Sequence, residues 1–218
     1  MRPALAVANA LLNRATESGT TLSGDALQSL TYFAHGLRLA LVNDALLDEV
    51  VMAQRDGIFI ESLASAGALG TRNINSPLTR VEKLPDGLLS VKTPALDADD
   101  PAAATLELVW SRFGRFGGYE LGLFVRSAGS PWDEVWNDPQ RLASKLSAVA
   151  LQTWQEDGSG ERALVIPNSL IRRWFRSLVI QEKKEQANAE GLEQTIHAMS
   201  IHLEKTVRIS VEKKLRSA

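Results

Sequence analysis

Apolar residues recur every three or four positions between Leu22 and Val42, which predicts one long amphipathic helix over this stretch. Ser23 is placed to cap its start, and Asp25 lies in the first turn, where the helix dipole favours a carboxylate. The apolar stripe consists of Leu27, Leu30, Phe33, Leu37 and Leu41. The rest of the chain is expected to be organised around this helix.

Three polar side chains border that stripe, namely Gln28, Tyr32 and His35. Because buried polar groups are normally hydrogen-bonded, we expect Gln28 and Tyr32 to be buried and satisfied rather than exposed for binding. The predicted core joins the helix to aromatic and aliphatic residues farther along the chain. Its members are Leu27, Leu30, Phe33, Leu37, Trp110, Phe113, Leu121, Trp174 and Phe175.

The same spacing predicts further helices, with capping or turn residues at their ends. They cover Pro3–Thr16, Leu46–Arg55, part of Ile60–Ala66, a stretch from Pro101 to about Gly114, Tyr119–Arg126, Pro139–Trp154 and a stretch that Asn168 caps. Ile58–Ile60 either continues into a helix or forms a brief extended run, and Gln155–Glu161 is predicted to be a polar loop.

One β-hairpin is predicted, since Pro85-Asp86-Gly87 separates the β-prone runs Leu78–Leu84 and Leu88–Thr93. Proline presets φ in such a turn and glycine takes the positive-φ position. The expected fold is therefore mainly α: a compact helical domain with a small β-hairpin and a C-terminal helical tail. The domain is assigned to residues 1–180 and the tail to residues 181–218.

The tail differs in composition, because Gln181–Ala218 contains no aromatic residue and many charges of both signs. Its apolar residues follow a helical period and comprise Leu192, Ile196, Met199 and Leu203. This row is expected to bind a partner or a second copy of the chain, so that removing the tail would abolish association and leave the domain folded. The alternative is a helix packed back on its own domain.

The composition is that of an ordinary globular protein, with 218 residues, 44% hydrophobic and 23% charged. A net charge of −2 argues against nucleic-acid binding driven by charge, because phosphate contacts require a basic surface. The absence of cysteine excludes disulfides, thiolate catalysis and thiolate metal sites. No apolar run is long enough for a signal peptide or a membrane span, so a cytoplasmic location is expected.

No residue pattern indicates an enzyme, a metal site or a cofactor. His197 and His202 are five positions apart and do not stack as a metal-binding pair on a helix. Ser130 lacks the Gly-x-Ser-x-Gly sequence that presents a nucleophile. Asp133 and Glu134 are adjacent, so they would point apart on a helix and make a poor acid–base pair.

Several segments carry a family resemblance in the same order along the chain. They are AVANALLNRA (residues 6–15), LQSLTYFAHG (27–36), Asp48–Phe59, Gly129-Ser130-Pro131-Trp132 and ALVIPNSLIRRWFRS (163–177), the last resembling a closing helix. Together they resemble the Panacea domain, a family that includes SocA-like antitoxins and GepA-like phage-associated proteins. The chain departs from it at several positions, for example at Ser29, where the family has lysine.

The resemblance implies a non-enzymatic binding module, antitoxin-like or chaperone-like, that masks a partner protein by direct contact. The alternative is a phage or mobile-element assembly component that associates with itself through the C-terminal helix. We expect the partner to contact Arg126, Trp132 and Trp136 around the Gly-Ser-Pro-Trp turn, in addition to the apolar row of the tail.

Overall fold

The computed structural model describes residues 1–137, 154–156, 162–185, 200–202 and 205–206. The helices named here are α1 (Ala4–Glu17), α2 (Gly24–Val42), α3 (Glu61–Ser65), α4 (Ala103–Phe113), α5 (Gly118–Val125), α6 (Pro131–Trp136) and α7 (Asn168–Glu185). The strands are β1 (Val51–Gln54), β2 (Gly57–Phe59), β3 (Arg80–Lys83), β4 (Leu89–Lys92), β5 (Trp154–Glu156) and β6 (Arg162–Ile166). None of the described helices is long and apolar enough to cross a bilayer.

Helix α2 is the centre of the fold, as its pattern predicts. It contacts α1, α4, α5 and α7. The predicted cap is confirmed, because Ser23 Oγ accepts a hydrogen bond from the amide of Ala26 at 3.2 Å. The helix is buried on more than one face, so its apolar stripe understates its burial. A helix that is buried on several faces is usually apolar all round, whereas α2 also buries polar residues.

The core is built on aromatic edge contacts to α2. Phe33 meets Phe113, Phe124 and Phe175 with ring centroids 5.1, 5.5 and 6.1 Å apart. Tyr32 is buried, and its ring lies edge-on to Phe175 at 5.5 Å. The predicted core residues are buried, apart from the tryptophans of α4 and α7, which are only partly covered. The core therefore joins α2 to α4, α5 and α7.

A four-stranded antiparallel sheet in the order β2-β1-β6-β5 lies beside the helices and was not predicted. The predicted helix Leu46–Arg55 is wrong, because Val51–Gln54 forms β1. All four residues of β1 are buried, since the strand lies between two others. A strand buried on both faces does not alternate apolar with polar residues, and a short apolar run of this kind resembles a helix. Of the two possibilities for residues 58–60, the extended run is confirmed by β2.

The sheet also corrects the sequence prediction near the C-terminus. Trp154, predicted to end a helix, lies in β5 opposite Leu164, and residues 139–153 of that predicted helix are outside the described residues. Residues 163–166, assigned by resemblance to the closing helix, belong to β6, and the helix itself begins at Asn168. The fold is thus helical around its core, as predicted, with more β-structure than the single expected hairpin.

Two of the polar residues of α2 fasten other segments to it. The side-chain amide of Gln28 pairs with the backbone of Ile60, accepting from its N–H at 2.9 Å and donating to its carbonyl at 3.4 Å. Nδ1 of His35 accepts from the amide of Leu47 at 3.2 Å, and Nε2 lies 2.9 Å from Asn168 Oδ1. Because an amide N–H can only donate, the imidazole is neutral, with its proton on Nε2. The structural interpretation of Gln28 is confirmed.

This geometry predicts a pH dependence of stability. Burial lowers the pKa of His35 below its usual 6.5, and the hydrogen bond to Asn168 opposes that shift only in part. Below pH 6.5 the unfolded chain therefore binds more protons than the folded one, so stability falls as the pH falls. Between pH 7.5 and 5.5 the free energy of unfolding of the natural chain should drop more than that of His35→Gln, by at most about 1.4 kcal/mol.

Urea titrations of both chains at the two pH values measure this difference. NMR titration of the His35 ring in the natural chain reads the same pKa without a substitution. Parallel pH dependences for the two chains, together with a ring that titrates at its usual value, would contradict the assigned tautomer.

Candidate partner interface

The predicted hairpin forms a two-stranded ribbon, residues 80–92, in which β3 pairs antiparallel with β4. Its loop is Pro85-Asp86-Gly87, and Gly87 has φ 85°. Leu84 N–H donates to Leu88 O at 2.8 Å, while Gly87 N–H donates to Leu84 O at 2.9 Å. This is a three-residue loop with a glycine bulge, and the turn chemistry predicted from the sequence is confirmed.

The ribbon has one charged and one apolar face, because alternate residues of a strand point to opposite sides. The charged face carries Arg80, Glu82, Ser90 and Lys92. The opposite side, here called the apolar ribbon face, carries Val81, Leu89 and Val91, which are 62%, 71% and 67% exposed, and one charged residue, Lys83, which pairs with Leu89. Leu88 at the turn is 64% exposed. Exposed apolar side chains clustered in this way mark an interaction site more often than scattered ones do.

On the charged face, Glu82 joins the two strands. Its carboxylate accepts from Lys92 Nζ at 2.6 Å and also pairs with Arg80. The bond from Lys92, followed by that from Arg80, lowers the pKa of Glu82. The charged groups of this face thus satisfy one another, whereas the opposite face is apolar apart from Lys83.

The base of the ribbon is fixed by Asn9 of α1, which is buried. By the register of the strands, Leu78 lies opposite Pro94, which has no N–H to donate. Asn9 Nδ2 supplies that donor, bonding Leu78 O at 2.9 Å and Pro94 O at 2.8 Å, and Asn9 Oδ1 accepts from Leu78 N–H at 2.8 Å. One side-chain amide therefore replaces the backbone ladder and ties both strands to the domain.

A groove of about 390 Å³ lies beside β3. Its walls are the first residues of α1, the segment with Asp48 and Glu49, α3, and the consecutive residues Thr79, Arg80 and Val81. Successive residues of a strand point to opposite faces. Three consecutive residues on one groove therefore indicate that the edge of β3, rather than either face, borders it.

The residues that the sequence proposed around the Gly-Ser-Pro-Trp turn lie close together and support the sheet. Arg126 donates to the carbonyl of Asp56, and Trp132 Nε1 donates to Gln54 O at 2.7 Å, so both hold the β1–β2 turn. Trp132 is only 7% exposed and offers little surface to a partner. Trp136 is partly exposed and stacks on Trp132 with centroids 6.0 Å apart, so the two share one face of α6. Partner binding here stays a prediction.

The tail residues proposed for partner binding, Leu192, Ile196, Met199 and Leu203, lie outside the described residues. The described residues 200–202 are helical. Ser200 is buried, and the His202 ring lies 5.9 Å from that of Phe124 in α5. This contact favours the alternative in which that part of the tail packs on the domain.

Sequence reasoning missed the apolar ribbon face and Asn9. Which residues share that face was within reach, because a three-residue loop fixes the register and places Val81, Leu89 and Val91 on one side, but their exposure was not. Asn9 gave no signal, since its bonding partners lie 69 and 85 positions away.

No protein-family model matches the chain, so the Panacea resemblance is not confirmed in that way. No solved structure matches it. Among curated proteins, antitoxin SocA of Caulobacter vibrioides (strain NA1000 / CB15N) is 31% identical over 137 residues, which cover 62% of this chain and 71% of that protein. The chain therefore belongs to the family of antitoxin SocA.

Proposed function

We propose that this protein is an antitoxin-like module that binds a toxin protein and masks it by direct contact, without catalysing a reaction. Membership of the antitoxin SocA family supports this role. We also propose a cytoplasmic location, where a toxin would meet its cellular target. The family link and the absence of cysteine support that location.

The apolar ribbon face is the observation that carries the proposal. A two-stranded ribbon is marginally stable by itself, and exposed apolar residues on it do not stabilise the free protein. Each such side chain contributes roughly 1.5–3 kcal/mol when a partner buries it fully. Asn9 holds the base of the ribbon in place, so less conformational freedom is lost on binding.

The alternative of an assembly component that associates with itself depends on the row from Leu192 to Leu203. Those four residues lie outside the described part of the chain, and the contact between His202 and Phe124 is internal to one copy. That contact favours packing of this part of the tail on its own domain over association through it.

The test is production of this chain together with the proteins encoded by the genes beside its own, to find one whose toxicity it suppresses, followed by calorimetry on the purified pair. Leu89→Glu places a charge on the apolar ribbon face and should weaken the complex about tenfold or more, because a partner pocket would have to bury that charge. Rescue of growth should be lost in parallel. Since Leu89 is largely exposed, the melting temperature should change little.

Ser90→Lys is the control, since it adds a charge one residue away on the opposite face, across the strands from Glu82. It should leave affinity and rescue nearly unchanged. Equal losses in the two variants, or none in either, would show that the ribbon face is not where the toxin binds. A chain that neither binds the toxin nor rescues growth would refute the proposed function itself.

A further inference from the structure

We infer that the groove beside β3 receives an extended segment of the partner, which adds a strand to the free edge of β3 and carries lysine or arginine. This assignment deepens the proposed function, because it names the part of the partner that docks. It rests on three observations: unpaired backbone on β3, the position of the groove along that edge, and the acidic residues opposite.

The first observation is which cross-strand residue pairs of the ribbon are hydrogen-bonded. Leu84 N–H donates to Leu88 O, so Leu84 and Leu88 form a hydrogen-bonded pair. In an antiparallel ladder such pairs alternate with non-bonded ones, which makes Val81 and Lys83 members of non-bonded pairs. Their backbone N–H and C=O groups therefore point away from β4, and no described residue bonds them. An edge of this kind is a template for another strand.

The second observation is that the groove follows this edge. Thr79, Arg80 and Val81 border it in succession, and α3 and the first residues of α1 form the opposite wall. The groove volume of about 390 Å³ lies in the range of sites that take small or slender ligands. A space of this size takes a single extended segment, whereas a second ribbon is two strands wide, with the strands about 4.8 Å apart. The geometry thus favours strand addition by a peptide segment over self-association.

The third observation is the charge of the far wall. Glu49 is held in place, since its Oε2 accepts from Ser62 N–H at 3.1 Å, and Asp48 beside it is exposed. The one cation on the lining, Arg80, is already paired with Glu82 on the charged face of the ribbon. Two carboxylates opposite a strand edge therefore select a basic side chain on the incoming segment.

A synthetic peptide of alternating valine and lysine tests the inference without the toxin. Its affinity for the full chain is measured by fluorescence anisotropy. It should bind about tenfold tighter than a valine–glutamate peptide, and tighter by a similar factor than the same peptide with methylated backbone nitrogens, which cannot pair as a strand. Equal affinities for the three peptides, or no detectable binding of the first, would overturn the inference.

Two proline variants show which edge of the ribbon, that of β3 or that of β4, binds the peptide. Val81→Pro removes an outward N–H from β3 and should weaken peptide binding about tenfold, whereas Val91→Pro removes the equivalent N–H from β4 and should leave it unchanged. Both residues belong to the same non-bonded pair, so neither change breaks the ladder. Val81→Thr keeps the N–H and should retain binding, which guards against a fold defect. Equal weakening by the two prolines would refute the assigned edge.

A charge reversal tests the selection for a basic segment. Asp48→Lys should invert the preference between the lysine and glutamate peptides, while Asp99→Lys, an exposed position outside the groove lining, should not. An unchanged preference in Asp48→Lys would refute the acidic wall. If the chain binds the peptide but no toxin, the proposed function is refuted and the strand-addition site on β3 is supported.

Discussion

Replacing Gly36 with alanine should lower the free energy of unfolding by about 3 kcal/mol or more. A Cβ at this position would lie 2.1 Å from Cε2 and 2.3 Å from Cδ2 of Phe175, far inside van der Waals contact. The ring cannot swing aside, because Phe175 is fully buried and meets Tyr32 and Trp174 edge-on. Helices α2 and α7 would have to move apart. Denaturant titration of the variant measures the loss.

A double variant identifies the cause. Phe175→Leu removes the ring atoms nearest to Gly36, so alanine at position 36 should cost at least about 1 kcal/mol less in that background. Gly122→Ala is the control in α5, where a Cβ would meet only the guanidinium of Arg126, at 3.3 Å, and a shift of a few tenths of an ångström relieves the contact. Because that guanidinium also bonds the carbonyl of Asp56, the change should cost something, but much less than Gly36→Ala. Additive losses in the double variant would mean that Phe175 is not the obstacle.

The close approach of α2 and α7 also shows what the sequence could and could not predict. The period from Leu27 to Leu37 predicts the helix, and Ser23 predicts its start. Nothing local shows that Gly36 marks a crossing, because the other partner, Phe175, lies far along the chain. A glycine within a helical pattern signals either weak propensity or close packing, and sequence alone does not separate the two.

The two sheets illustrate the same limit. The ribbon is predicted because Pro85-Asp86-Gly87 specifies its turn locally. Strand β1 is missed because its pairing with β6 joins residues more than a hundred positions apart, and because its burial removes the alternation that marks a strand. Exposure of the ribbon face was equally out of reach, since Val81, Leu89 and Val91 have the same residue types as a buried strand.

Among the candidate site residues, sequence reasoning selected aromatic and basic groups near Trp132, because such residues are enriched at interfaces. In the fold, Trp132 and Arg126 bond the carbonyls of Gln54 and Asp56 and so act first on the β1–β2 turn. An indole or guanidinium satisfied by the backbone of a distant strand looks the same in sequence as one offered to a partner. Only the tertiary hydrogen bonds distinguish the two.

Asn9→Leu should combine a large loss of stability with a loss of partner binding. The substitution leaves the Leu78 N–H and the carbonyls of Leu78 and Pro94 without their partner in a buried site. An unsatisfied buried group costs about 1–3 kcal/mol, so the free energy of unfolding should fall by about 3 kcal/mol or more. Because Asn9 ties both strands to α1, the ribbon should also move relative to the groove, and affinity for the valine–lysine peptide should drop.

Asn13→Ala, one turn farther along α1 and exposed, is the control and should alter neither quantity appreciably. Hydrogen exchange separates the two effects of Asn9→Leu. If the amide tether fixes the ribbon, the amide of Leu84, which bonds across the strands, should exchange faster in the variant even where the rest of the domain stays folded. Unchanged exchange at Leu84 alongside a lower melting temperature would confine the role of Asn9 to the core. The ribbon would then have to be held by its own turn and cross-strand bonds, which a two-stranded sheet in water seldom achieves.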